Sequence, residues 1–383
     1  GCDKRWVRKP FKAGKLQGEL IEFGAGAEAY TIAYFKRDGV EWGVVYTAFE
    51  MSNKKLYRDW YIKSLQTFSL FDPENSDTIA AARKDPNTLK GEEKRAALKA
   101  SIAGNPGWYS IDSEHYVVLT NSSEKAFVQQ VIKQLETMRA KVYEKYFPPR
   151  NNEESLSPVR ILDTETEYFQ YGGPGSSAGY FNPGSGELVL YTKSSDVSKS
   201  TALDNCRSVM FHEGFHQYIH FAVGDVSPHS WFNEGHGDFF AGAKVSGASI
   251  KFEEFPWRVE ALKYYLQDRS HSLIPVRTLI RMPQSEYYTN AGFKYAEGWA
   301  LVYYLRNVTR DKKEGEILDI YFNYLADNIS AFRAKKKEGK DGKPGTGGES
   351  VPGIPGLHLV DFEDEKKVEE ILSQAVDKAF EGI

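Results

Sequence analysis

The sequence predicts an α+β chain in two parts: a small α+β accessory domain over residues 1–105, and a larger domain over 106–383 in which sheet precedes helices. Three observations predict it. Residues 17–50 alternate apolar and polar side chains, which is the period of strands half-buried on one face. From Tyr116 to Thr192 short β-rich runs surround one long amphipathic stretch. From Leu203 onward the apolar residues recur mostly at three- and four-residue intervals, the period of helices. A chain of 383 residues with 41% hydrophobic content is long enough for two domains, or one elaborated one, with a sizeable core.

In the first part, Tyr30 to Phe35 and Val40 to Thr47 read as a hairpin closed at Arg37-Asp38-Gly39. A helix is expected at Lys54 to Phe68, where Leu56, Trp60, Ile62 and Leu65 suit one apolar face. Asp72-Pro73 opens a polar stretch, and Thr88 to Ser101 reads as a short, basic, Ala-rich helix. No catalytic constellation stands out in this part.

In the second part, Tyr116 to Thr120 and Val159 to Leu162 read as strands around a helix at Ser123 to Tyr146. Gly172-Gly173-Pro174-Gly175 is followed by no Gly-Lys-Ser/Thr, so it is a connection and not a phosphate loop. Ala178 to Asn182 and Glu187 to Thr192 then form a hairpin around Pro183-Gly184-Ser185-Gly186. A helix over Leu203 to Phe221 follows, with Thr201 and Asp204 marking its start. Further helices are expected at Phe252 to Gln267, Val276 to Arg281, Tyr295 to Asn307, Glu314 to Asn328 and Asp364 to Phe380. Ala334 to Gly356, with Lys335-Lys336-Lys337 and abundant Gly and Pro, reads as a flexible loop.

The chemistry is concentrated in two blocks. His212-Glu213-Gly214-Phe215-His216 lies on the Leu203 to Phe221 helix, and Asn233-Glu234-Gly235-His236-Gly237-Asp238 begins seventeen residues after His216. Residues four apart share a helical face, so His212 and His216 present two imidazoles to one point. A catalytic zinc takes three protein ligands and keeps one position open, and Glu234 is the candidate for the third ligand. Glu213 points to a different azimuth, toward a metal-bound water, and is the candidate base. With 8 histidines in the chain, a chance His-Glu-x-x-His arises on the order of once in a hundred such sequences. Asp225 and His229 are rival ligands. His220, one turn beyond His216, and His236 are read as buried helix histidines.

Taken together, His212-Glu213-x-x-His216 and Asn233-Glu234-x-x-x-Asp238 resemble the pattern of gluzincins, the thermolysin-like metallopeptidases of the peptidase MA-like superfamily. The resemblance implies one Zn2+ held by His212, His216 and Glu234, with Glu213 as general base and Asp238 hydrogen-bonded to a ligand histidine. Spacing alone points the same way for Asp238, which lies one helical turn after Glu234 where a ligating imidazole needs an acceptor. The implied fold is zincin-like: a small mixed sheet over 106–222 above a helical lower half over 223–383, with the active-site helix between. Tyr295-Ala296-Glu297-Gly298-Trp299-Ala300-Leu301 is similar to the aminopeptidase-type segment whose tyrosine stabilises the tetrahedral intermediate, a role that falls on Tyr295 here. The family's usual lysine in that segment is Glu297, and His271 is an alternative to Tyr295. In the family an edge strand binds extended substrate backbone; the corresponding residues are Ala178, Gly179, Tyr180 and Phe181.

The resemblance implies a zinc peptidase that activates water, with Glu213 taking a proton and delivering it to the leaving amine. The substrate is expected to be a peptide or protein. The lack of Gly-x-Met-Glu-Asn tilts the expectation toward an endopeptidase. Two other classes remain open: a non-proteolytic binding protein on a zincin scaffold, and a zinc hydrolase of ester or cell-wall amide bonds. A net charge of −4 gives no general reason to expect nucleic acid as a partner. No apolar run approaches the roughly 20 residues that span a bilayer, so no transmembrane segment is expected. Gly1-Cys2-Asp3-Lys4, in a chain with 2 cysteines, fits a bacterial lipoprotein processed before Cys2. A lipid anchor at Cys2 and an extracytoplasmic location are therefore expected; an unlipidated Cys2 in the native protein's mass spectrum counts against both.

Overall fold

The computed structural model describes residues 7–13, 16–25, 28–37, 40–48, 62, 89–150, 156–175, 177–246, 249–267, 272–338 and 362–383. The fold is α+β, and the described residues fall into two compact units. In the first, β1 (Val7–Ala13), β2 (Leu16–Ala25), β3 (Glu28–Arg37) and β4 (Val40–Ala48) form an antiparallel meander. Ala33 and Phe35, two apart on β3, are both fully buried, and Leu20 is paired with Ala33 across the ladder, as the period of two requires. The turn residues Asp38 and Gly39 lie outside the described residues, as does the expected helix at 54–68 apart from Ile62.

The second unit begins with α1 (Gly91–Ala100). The sequence reading places this helix in the accessory domain, but its Leu98 packs with Ile102 against Val117, Leu119 and Leu156 of the larger unit. The sheet there is mixed. β5 (Tyr109–Asp112) and β6 (Tyr116–Thr120) precede α2 (Lys125–Met138), which continues through a π-helical turn at Arg139–Tyr143 to Glu144–Tyr146. After β7 (Ser157–Thr164) and α3 (Glu165–Gln170) come β8 (Gly179–Asn182) and β9 (Glu187–Lys193). The strand order is β5-β6-β7-β9-β8, with the central three parallel and both edges antiparallel. β6 is wholly buried and β7 and β9 nearly so, as parallel strands covered on both faces must be. Val118, Val159, Ile161, Leu188 and Leu190 face the main core, while Val117 and Leu119 face α1, and Val189 and Tyr191 pack with Tyr168 of α3.

α4 (Lys199–Val223) lies on the core face of this sheet. It starts earlier than Thr201 suggested, because the Ser198 hydroxyl accepts from the Thr201 amide and caps it. Cys206, Met210, Phe211, Phe215 and Ile219 bury its apolar stripe, each large side chain contributing about 1.5–3 kcal/mol. Gly224, at φ 97°, ends the helix in the left-handed conformation that glycine tolerates. Then follow α5 (Ser230–Ala241), the hairpin β10 (Ala243–Ser246) and β11 (Ser249–Phe252), and α6 (Pro256–Gln267). Phe252 therefore ends a strand and does not begin a helix: Val245, Ile250 and Phe252 alternate along the hairpin, and Pro256 opens the helix where its missing N–H costs nothing.

The remaining elements are α7 (Val276–Leu279), α8 (Gln284–Tyr287), α9 (Ala291–Tyr303), which continues through a π-helical turn at Tyr304–Val308, α10 (Lys312–Glu338) and α11 (Phe362–Ala379). α10 runs past the expected end at Asn328 and through the lysine cluster, whose residues are good helix formers. Of the loop expected at 334–356, residues 334–338 are thus helical, and 339–356 lie outside the described residues. α11 packs on α10 and buries Ile371, Ala375 and Val376. Among the described residues no helix is long and apolar enough to cross a membrane.

Candidate metal centre

Two helices supply the site. α4 carries His212, Glu213 and His216, and α5, packed against it, carries Asn233, Glu234 and Asp238. His212 Nε2 lies 3.1 Å and His216 Nε2 3.3 Å from the same carboxylate oxygen, Oε2 of Glu234. The three donor atoms all lie within 4.8 Å of one another. Donors bound tetrahedrally to one zinc at its usual bond lengths stand about 3.4 Å apart, so the set fits a single small divalent ion.

The outer atoms of the donors are also engaged. His212 Nδ1 lies 3.2 Å from Asp238 Oδ1, and His216 Nδ1 lies 2.9 Å from Asn233 Oδ1. Both partners accept, which places a proton on each Nδ1 and turns both Nε2 atoms toward Glu234, each able to carry a second proton or to offer its lone pair to a cation. Three electron-rich atoms so close repel one another unless a proton or a cation stands between them. Gly237 makes room for this arrangement, because a Cβ there would sit 2.8 Å from the His212 ring.

Asp238 accepts two bonds from Arg258 of α6, at 2.6 Å from Nε and 3.0 Å from Nη2. The Arg258 guanidinium also covers the Tyr295 ring at 4.9 Å. Tyr295, on α9, stacks nearly parallel to His212 with ring centroids 6.5 Å apart. Tyr288, just before α9, donates its hydroxyl to the outer Glu234 oxygen, Oε1, at 2.6 Å. Glu213 accepts at Oε2 from the Phe181 amide of β8 at 2.9 Å. Glu213, Glu234, Tyr288, Tyr295 and the two imidazoles line a cavity of about 220 Å³, while Asp238 and Arg258 stand behind its wall.

In the metal-free molecule the charges are strongly coupled. Burial works against a charged His212, but Asp238 and Glu234 prevail and hold its proton well above the usual histidine range. His216 is raised in the same way, against burial, by Glu234. Burial works against a charged Glu234 too, yet His216 and His212 hold it well below the usual carboxylate range. Burial pushes Glu213 up, partly offset by His216 and His212. Tyr295 and Tyr288 are both raised by burial and by the Glu234 charge, so both hydroxyls keep their protons and remain donors.

The rival residues go elsewhere. Asp225 pairs with His220 at 3.5 Å, and His229 Nδ1 meets the Tyr321 hydroxyl at 2.9 Å. His220 borders the cavity, whereas His236 is fully buried among Phe147, Phe215 and Phe232 and bonds the Phe232 carbonyl. Glu297 faces away from the centre and accepts from the Ile274 amide. His271 lies outside the described residues. Of the edge-strand residues, Gly179, Tyr180 and Phe181 lie on β8, the last strand of the sheet, with Ala178 just before it. The outward amide of Phe181 is engaged by Glu213, and both backbone groups of Gly179 meet the Ser177 hydroxyl. Sequence reasoning did not find Arg258, Tyr288 or the role of Asn233. Only Asn233 left a signal, its place directly before the ligand candidate. No known protein family matches the chain and no curated protein matches it, so the residues themselves carry what can be said of its chemistry.

Proposed function

We propose that the chain is a zinc-dependent peptidase of gluzincin type on a zincin-like fold, with a peptide or protein as substrate. The observation that carries this reading is the convergence of His212 Nε2 and His216 Nε2 on Glu234 Oε2, with Glu213 in the wall of the same cavity. His212, His216 and Glu234 would hold the ion. When bound, zinc acidifies water toward a pKa of about 7 and polarises a carbonyl. Glu213, held by the Phe181 amide, takes a proton from the attacking water and gives it to the departing amine, both transfers that amide hydrolysis needs. Burial suits it to the task, since a carboxylate raised toward neutral pH both accepts and releases protons readily.

Tyr295 lines the α9 side of the cavity with its proton retained and would face the oxygen charge that develops on a scissile carbonyl, whereas the Tyr288 hydroxyl is committed to Glu234. β8 is the edge strand on the other side, and an extended substrate backbone could add to it only by displacing Glu213 from the Phe181 amide and Ser177 from Gly179. The test is elemental analysis of the purified chain combined with digestion of a peptide library, comparing wild type with Glu213→Gln and His212→Ala. Stoichiometric zinc lost in His212→Ala, with cleavage lost in both variants, is expected. Zinc without cleavage of any peptide by wild type sinks the peptidase reading.

A further inference from the structure

Asp238 sits behind His212 and is only 1% exposed, so its carboxylate has little water to solvate it. It receives instead two bonds from the Nε–Nη2 edge of the Arg258 guanidinium, in the planar fork-to-carboxylate arrangement that an ammonium cannot reproduce. The same guanidinium lies over the face of Tyr295, whose ring in turn stacks on His212. Arg258 thus touches both groups that hold the first imidazole in place, one at its Nδ1 edge and one on its face.

We infer that Arg258 is the positioning residue of this centre, fixing Asp238 and the Tyr295 ring so that His212 is presented to the metal already oriented. The inference rests on the metal reading of the site. It adds a residue from α6, an element that contributes no donor, and makes metal affinity depend on how that helix docks. Through Asp238 the guanidinium fixes the acceptor that faces His212 Nδ1, and with it the orientation of the ring. Without the guanidinium, the buried Asp238 carboxylate would lose the two bonds that fix it in place, and the ring would lose its anchor.

The experiment is zinc affinity by chelator competition on the full chain, with circular dichroism of each metal-free variant as the check on folding. Arg258→Gln is expected to weaken zinc by about 10- to 100-fold, the range typical of outer partners of a ligand histidine. Arg258→Lys is expected to recover part of the affinity, because one ammonium cannot bond both Asp238 oxygens and cover the ring. In an Asp238→Asn background, Arg258→Gln is expected to add little, since the chain of contacts is already broken. Wild-type affinity in Arg258→Gln, or equal losses in the two backgrounds, overturns the inference. Should Arg258→Gln not fold, Arg258→Lys decides: wild-type zinc affinity in that variant overturns it. A wild-type chain that takes up no zinc overturns the metal reading and this inference together.

Discussion

His216 Nδ1 stands 2.9 Å from Oδ1 of Asn233, the residue directly before Glu234, so the turn of α5 that carries the third donor also orients the second imidazole. Asn233→Ala is expected to leave the fold intact and weaken zinc by about tenfold, because His216 then has nothing to fix its ring orientation. Chelator competition measures this. Unchanged affinity would show that α4 packing alone orients the ring.

Glu213 is the group whose removal should separate binding from turnover. Its carboxylate makes no contact needed by the donors, so Glu213→Gln should keep zinc at wild-type stoichiometry. The loss of a positioned acid and base should lower peptide hydrolysis by about 100- to 10,000-fold. Single-turnover rates set beside zinc content give the answer; undiminished hydrolysis assigns the proton transfers to another residue.

The raised His212 and His216 pKa values define a pH signature for the metal-free chain. A histidine held above its unfolded value of 6.5 contributes stability in full below about pH 6.5 and loses it as pH rises through the folded value. Glu234 has the opposite sign: its contribution is present above its unfolded value of 4.5 and is lost as pH falls through its depressed folded value. The melting temperature in chelator should therefore decline from about pH 6.5 upward. Zinc displaces both protons, so its affinity should fall as pH is lowered, and the loaded chain should not show the alkaline decline. Parallel melting curves with and without zinc count against the assignment.

How much of this was legible in the sequence depends on the range of the interaction. The β3–β4 hairpin, the buried β6 and the apolar stripe of α4 follow from periods of two and 3.6, and the structure has them where those periods put them. The convergence of His212 and His216 was legible for the same reason, being a property of one helix. Phe252 was misassigned because a four-residue strand beside a helix carries too few alternations to be told from the helix's first turn. Composition alone puts the lysine cluster after Ala334 in a loop, although lysine is a good helix former and α10 is already propagating there. Arg258 and Tyr288 left no signal at all. Each acts through a bond to a residue 20 or 54 positions away, and only the packing of α9 on α5 and of α6 on α9 brings them there.

Gly237 supplies the sharpest test of that packing. It sits on α5 between Glu234 and Asp238, and its Cα faces the His212 ring so closely that an added Cβ would stand 2.8 Å from Cε1 and 2.9 Å from both ring nitrogens. A helix interior ordinarily gains from glycine to alanine, by roughly 0.5–1 kcal/mol. Here Gly237→Ala must push either the imidazole or α5 by several tenths of an ångström, and the imidazole is the part held only by side-chain contacts. The ring should yield, moving Nε2 off Glu234 and Nδ1 off Asp238. Gly237→Ala is therefore expected to melt in chelator within a few degrees of wild type, yet to bind zinc at least tenfold more weakly and to lose most of the zinc-induced rise in melting temperature. Equal zinc affinity with a large loss of metal-free stability would mean that α5 moves instead, and that the His212 ring is held far more firmly than two side-chain contacts imply.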